Sequence, residues 1–254
     1  MTPSLATRDI TIRFGGHVAV DAVSCVFRPG ELTANVGPNG AGKTTYFNLI
    51  SGQLRATSGA VLVNGDDVTA ASAPQRARLG IGRAFQLTNL FSGLSVFENV
   101  RLATQARAGV HYDLTRPWTL RRDLIDSAYE VLEGVGLEGR RHHRVASLSH
   151  SDQRKLEVAM MMALKPHVYM FDEPTAGMSV DEVPVVLDLI ARLKQDGTKI
   201  ILLVEHKMDV VRSLADRIIV LHNGRLAADG EPAEVIASAI VQEAYLGVTN
   251  GAAR

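Results

Sequence analysis

Gly37-Pro38-Asn39-Gly40-Ala41-Gly42-Lys43-Thr44-Thr45 decides the reading of this chain. The stretch fits the phosphate-loop pattern G-x-x-x-x-G-K-[ST] without a mismatch. Its glycines let backbone N–H groups converge on a polyphosphate, because no Cβ blocks close approach or positive φ. A helix beginning near Lys43 would aim the positive end of its dipole at the same anion. Lys43 can reach the β- and γ-phosphates, and the Thr44 hydroxyl can ligate Mg²⁺. The other candidates for the nucleotide cradle are Gly37, Pro38, Asn39, Gly40, Ala41, Gly42 and Thr45.

The flanks of the loop supply its context. Residues 31–36 read as a strand leading directly into it, with Leu32, Ala34 and Val36 apolar. Thr33 and Asn35 are polar, which is unusual for a strand buried on both faces. Residues 44–51 read as the following helix, stopped by Gly52. Residues 5–26 alternate loosely and predict two strands around Gly15-Gly16, and 60–63 with Asn64-Gly65 predict a strand and turn. Between about 94 and 164 the pattern becomes helical. Ser95 to Glu98 and Ser149 to Asp152 both have capping-box spacing. Leu156, Ala159, Met160, Ala163 and Leu164 then recur on one face. Strands return at 168–171 and 200–204 around a helix at 184–194, and a hairpin at 217–228 turns at Asn223-Gly224. Alternating strands and helices predict an α/β fold with a mostly parallel core sheet. The N-terminal strands form an antiparallel subdomain in this reading, and 94–164 is an inserted helical one. The whole chain, 1–254, is then one domain.

Bulk properties narrow the function classes. The 254 residues include 46% hydrophobic ones, ample for a core, and 27 basic against 27 acidic side chains. That balance argues against a nucleic-acid-coating or polybasic membrane-binding protein. Cys25 is the single cysteine, so no internal disulfide forms and a reducing compartment is expected. The first residues, interrupted by Pro3, Arg8, Asp9 and Arg13, lack the apolar stretch of a signal peptide. No run approaches 18 apolar residues. The expectation is a cytosolic chain that does not itself span a bilayer.

Further along, Val168-Tyr169-Met170-Phe171-Asp172-Glu173 is an apolar strand ending in two carboxylates. Beside a phosphate loop, Asp172 would hold Mg²⁺ and Glu173 would polarise the attacking water as general base. Glu205-His206 follows the next apolar strand, and a histidine there can donate to the γ-phosphate or orient the water. Gln86 lies between Phe85 and Leu87, and Leu148-Ser149-His150-Ser151-Asp152-Gln153 precedes a helix. In this order and at about these spacings, the five parts resemble the nucleotide-binding subunits of ABC transporters. The resemblance runs from about Leu5 to Gly247 and implies a phosphate-loop NTPase fold and an ATPase activity dependent on ATP and Mg²⁺.

The resemblance carries further expectations, residue by residue. Two nucleotide-binding subunits, identical or different, would clamp two ATP molecules, each phosphate loop and Asp172-Glu173 pair facing the other subunit's signature. In that signature Ser149 and Ser151 would approach the opposite γ-phosphate. Gln86 would contact Mg²⁺ and the water and sense a transmembrane permease. His206 would hold the γ-phosphate. Phe14 stands where the family places an aromatic ring against adenine; the alternative is a core phenylalanine. The implied location is the cytoplasmic face of the inner membrane, with a periplasmic solute-binding protein as an indirect partner and no nucleic acid.

Two segments depart from the family at large. His150, Ser151 and Asp152 replace the last three residues of the usual Leu-Ser-Gly-Gly-Gln, which predicts obstruction at Ser151, extra negative charge at Asp152 and weakened closure. Pro174-Thr175-Ala176-Gly177-Met178-Ser179 lacks the usual Ser-Ala-Leu-Asp and is similar to the subgroup serving branched-chain amino acid importers. Val204 to Met208, Arg83 to Gln86, Leu94 to Val100 and Glu243 to Gly247 resemble the same subgroup. Other solutes (urea, amides, lipids), export, and a soluble ABC-type protein acting on nucleic acid are the competing readings. Met160 to Met162 read as core filling, Arg140-Arg141-His142-His143-Arg144 as a solvated loop, and Phe91 with Leu94 as apolar contacts for a permease helix.

Overall fold

The computed structural model describes residues 4–84, 90–109, 118–238 and 241. Gln86 and residues 243–247 lie outside them. The chain divides into two compact units. The first comprises residues up to Ile81, His167–Glu173 and those from Leu193 onward; the second comprises Gly82–Pro166 and Pro174–Arg192.

In the first unit, β1 (Leu5–Phe14) and β2 (His17–Phe27) form a hairpin that turns at Gly15-Gly16 and closes on the pair Phe14 and His17. With β4 (Ser58–Val63) and β5 (Asp66–Asp67) they make an antiparallel sheet of order β2-β1-β4-β5. β3 (Leu32–Val36) belongs to a second sheet, where it runs parallel to β8 (Ile200–Val204) and β9 (Arg217–His222). β7 (Val168–Asp172) pairs parallel with β8, and β10 (Arg225–Gly230) antiparallel with β9. The strand order within this unit is β10-β9-β3-β8-β7, and β6 (Ile81–Ala84) passes into the second unit after Ile81. Every residue of β3, β7 and β8 is buried, as the apolar runs 168–171 and 200–204 require of strands covered on both faces, and β3 buries the polar Thr33 and Asn35 as well.

One face of this sheet packs with the antiparallel strands and with Tyr46, Phe47, Leu49 and Ile50 of α1 (Lys43–Ser51). The other face packs Val36, Ile218 and Val220 against Val211 of α7 (Met208–Leu214) and Val235 of α8 (Pro232–Ala237). Two polar devices seat α1. The Tyr46 hydroxyl lies 2.8 Å from Thr7 Oγ1, which accepts from the Cys25 N–H at 3.1 Å, so the helix is tied to β1 and β2. At the other end, Arg76 of α2 (Ala73–Arg78) is 1% exposed. Its Nη1 donates to the carbonyls of Leu49 and Ile50, its Nη2 to Thr69 and its Nε to Ala71. The guanidinium thus meets the last carbonyls of α1, where the dipole is negative. Burial pulls the Arg76 pKa below its ordinary value.

Asn35 is the anomaly of β3. It is 1% exposed, paired in register with Val204 and Ile219, and neither of its side-chain polar atoms has a hydrogen-bond partner among the described residues. A buried amide left unsatisfied costs about 1–3 kcal/mol. Asn35→Val, apolar and β-branched, is expected to raise unfolding stability by about 1–2 kcal/mol. Urea unfolding checks it; an unchanged or lower midpoint would mean the amide is satisfied by bound water.

The second unit is helical: α3 (Val96–Arg107), α4 (Arg122–Gly134), α5 (His150–Leu164) and most of α6 (Val183–Gln195). The capping box at Ser95 forms in full, with Ser95 Oγ accepting from the Glu98 N–H at 3.1 Å and Glu98 Oε2 accepting from the Ser95 N–H at 3.3 Å. The one expected at Ser149 forms by half. Ser149 Oγ accepts from the Asp152 N–H at 3.1 Å, but the Asp152 carboxylate turns to cations instead. Of the methionine run, Met161 is core, whereas Met160 and the 38% exposed Leu164 line an apolar groove with Arg83, Leu90 and Glu157. The expected face of α5 is therefore rotated, burying Leu156, Ala159, Met161 and Ala163.

Candidate functional site

Within the first unit, the loop after β3 and the first turn of α1 form one wall of a cleft of roughly 380 Å³. Asn39 to Thr45, Phe14, His17, Ala19, Glu173 and His206 line it. The loop glycines are required by sterics. A Cβ on Gly37, at φ 150°, would lie 2.1 Å from the Leu221 carbonyl oxygen. One on Gly42, at φ 97°, would lie 2.5 Å from that of Ala19. Gly42 is the N-cap of α1 and offers no side-chain bond, so the amides at the helix start are left for an anion.

Lys43 is 6% exposed and folds back over its own loop, Nζ donating to the carbonyls of Gly37 at 2.6 Å and Pro38 at 2.9 Å. Burial lowers its pKa, against the opposing charges of Glu173 and Asp172. The ammonium therefore stands close enough to feel both carboxylates. Asp172 ends β7 and is 3% exposed. Glu173 follows with φ 50°, in the left-handed region that a non-glycine residue rarely adopts, while its N–H donates to the Val204 carbonyl at 2.9 Å. The chain bends here, and Glu173 lines the cleft. Its Oε1 lies 2.9 Å from His206 Nε2. An ionised carboxylate only accepts, so His206 donates from Nε2. Glu205 fixes the histidine in turn, its Oε2 accepting from the backbone N–H groups of His206 at 2.8 Å and Lys207 at 3.2 Å.

The structure thus brings Lys43, Thr44, Glu173 and His206 to one cleft, with Asp172 buried at its edge. Phe14 is 50% exposed and lines the same space, so it is not a core phenylalanine. His17 was not read from the sequence; its signal is the hairpin turn, which places it across from Phe14. Gln86 lies outside the described residues. For Mg²⁺, the donor set fits. Thr44 and Asp172 supply hard oxygen ligands near Lys43, and Mg²⁺ takes one or two protein oxygens alongside phosphate and water.

The signature segment belongs to the second unit, and its unusual residues are accommodated there. His150 lies beside Gly177: a Cβ on that glycine would be 3.4 Å from His150 Cε1. Ser151 is 3% exposed, so its side chain is turned inward rather than obstructing the surface. Hydrogen bonds from Ser179 hold the Glu182 carboxyl below its usual range. Asp152 is ion-paired rather than free.

A family model described as ABC transporter matches residues 20–176. The chain belongs to the ABC transporter family. Members of this family bind and hydrolyse ATP, which accounts for the loop, the two carboxylates and the histidine around one cleft. The chain is 36% identical to the high-affinity branched-chain amino acid transport ATP-binding protein LivG of Escherichia coli, over 96% of this chain and 98% of LivG. It is 33% identical, over 96% of this chain and 98% of the relative, to the corresponding protein BraF of Pseudomonas aeruginosa. Among solved structures, the ADP conformation of MJ1267, an ATP-binding cassette of an ABC transporter, superimposes with a TM-score of 0.82 at 26% identity. That match covers 98% of this chain and all, 100%, of MJ1267.

Proposed function

We propose that this ABC ATPase drives import of branched-chain amino acids through separate membrane subunits. The observation that carries the chemistry is the cleft in which Lys43, Glu173 and His206 converge. The substrate class rests on the full-length similarity to LivG and BraF, together with the Ala176-Gly177-Met178 segment. No helix among the described residues is long and apolar enough to cross a membrane. In this reading the chain therefore works from the cytoplasmic face of a membrane, docked on permease subunits that receive the solute from a periplasmic binding protein. Phe91, 53% exposed and held by Asn99 through its backbone N–H at 2.9 Å, is a candidate permease contact, with Leu94 beside it.

In the proposed cycle, ATP binds with its base against Phe14 and its phosphates on the loop. Lys43 exchanges the carbonyls of Gly37 and Pro38 for the β- and γ-phosphates. Thr44, Asp172 and Gln86 would hold Mg²⁺, which when bound neutralises charge building on the phosphate oxygens. A second subunit closes its signature, through the Ser149 hydroxyl and the backbone N–H of Ser151, on the γ-phosphate. Glu173 then accepts a proton from the attacking water while His206 orients the Glu173 carboxylate and contacts the γ-phosphate. Little covalent chemistry is asked of the protein; positioning and charge stabilisation suffice.

Uptake of labelled leucine, isoleucine and valine by cells deleted for the chain tests the substrate class. Uptake should be lost, and restored by the natural chain but not by Glu173→Gln. Unchanged uptake of all three, with loss of urea, amide or another solute, would move the chain to that substrate. Loss of export rather than uptake would reverse the direction.

A further inference from the structure

The basic run at 140–144 lends one of its residues to the least conventional residue of the signature. Asp152 is 8% exposed on the first turn of α5. Arg140 Nε lies 3.0 Å from its Oδ2, and Lys155 Nζ lies 3.6 Å from its Oδ1. Each carboxylate oxygen has its own cation, one of them from outside the helix. The rest of the run is engaged differently: Arg141 lies over the Tyr129 ring, 5.9 Å from its centroid, and its Nε donates to His142 Nε2 at 3.1 Å. A lone carboxylate at this helix start would oppose the dipole's attraction for a polyphosphate. One anion between two cations leaves the group net positive.

We infer that Arg140 and Lys155 are positioning residues of this signature. By cancelling the Asp152 charge, they let the N-terminus of α5 accept the polyphosphate of an ATP held by a second copy of this chain. The expected electrostatic obstacle to closure is thereby removed within the subunit, just as the inward turn of Ser151 removes the steric one. This rests on the reading, given under the proposed function, that the signature meets the other subunit's nucleotide.

The test uses full-length Glu173→Gln protein with Na⁺-ATP and no Mg²⁺. Light scattering gives the ATP concentration for half-dimerisation, and a fluorescent ATP analogue gives the affinity of the monomer. The Arg140 side chain is 52% exposed, so its replacement leaves the packing of the unit in place. Arg140→Gln is expected to raise the half-dimerisation concentration about ten-fold with monomer affinity unchanged. Raising NaCl should shrink the difference, since salt screens the unmasked charge. In an Asp152→Asn background the same substitution should shift the midpoint by less than about two-fold, because no charge remains to unmask. A shift that persists in that background, or no shift in either, overturns the inference. The dimerising parent would then still uphold the signature reading. A parent that binds ATP yet stays monomeric at every ATP concentration overturns both.

Discussion

Glu173→Gln should lower ATP turnover by about three orders of magnitude, within the 10²–10⁴-fold span of general-base catalysis, while ATP binding persists. The substitution keeps the size and shape of the side chain and removes its basicity. The geometry favours a clean result. Glu173 is placed by its backbone, through φ 50° and the 2.9 Å bond from its N–H to the Val204 carbonyl, and neither depends on the carboxylate. A glutamine oxygen can still accept from His206 Nε2, which sits 2.9 Å from Oε1 in the natural chain. Only the capacity to take a proton from water is lost. Phosphate-release kinetics alongside equilibrium ATP binding make the measurement. Turnover within a few-fold of the natural protein would show that another group, with His206 the first to examine, accepts the proton.

Lys43→Ala should weaken ATP binding by about two orders of magnitude, because bonds between a charged donor and a charged acceptor contribute roughly 1.5–3 kcal/mol each. Lys43 is buried, and its ammonium donates to the carbonyls of Gly37 and Pro38. Those are neutral acceptors that a phosphate readily displaces. The loop shape rests instead on its glycines and on α1, whose seating by Tyr46 and Arg76 the substitution does not touch. Affinity should therefore fall without a comparable fall in unfolding temperature. Titration calorimetry and thermal unfolding of the same sample separate the two. Near-normal affinity would mean that the backbone amides and the helix start hold the phosphates alone.

Together the two substitutions separate binding from chemistry within one cleft. The first leaves ATP bound and unreacted, and the second prevents occupancy. That contrast also guards the signature experiment, because dimerisation is read in a background where ATP binds but is not consumed.

Much of the catalytic cleft was legible in the chain itself. A phosphate loop is a local object: its nine residues encode the turn, the helix start and the lysine without reference to distant partners. Runs such as 168–171 and 200–204 announce their burial by being apolar throughout, and Glu173 and His206, just beyond them, line the cleft. The polarity of Asn35 was visible too, as an exception to the same rule. What the resemblance to ABC subunits added was the assignment of roles across separate segments.

Long-range pairs were not legible. Arg76 reads as one more charged residue on a short helix, yet it is among the most buried side chains and closes the end of α1. His17 joins the cleft only because a hairpin sets it opposite Phe14. The signature shows the difference most plainly. By itself the sequence determined that His150, Ser151 and Asp152 replace the family's usual residues, and hence that bulk and negative charge are added there. Only the tertiary structure decided where that bulk and charge go: Ser151 inward beside Glu182, and Asp152 between Arg140 and Lys155. A residue's identity sets its volume and charge, but the effect of both depends on neighbours distant in sequence, whose approach is decided by folding.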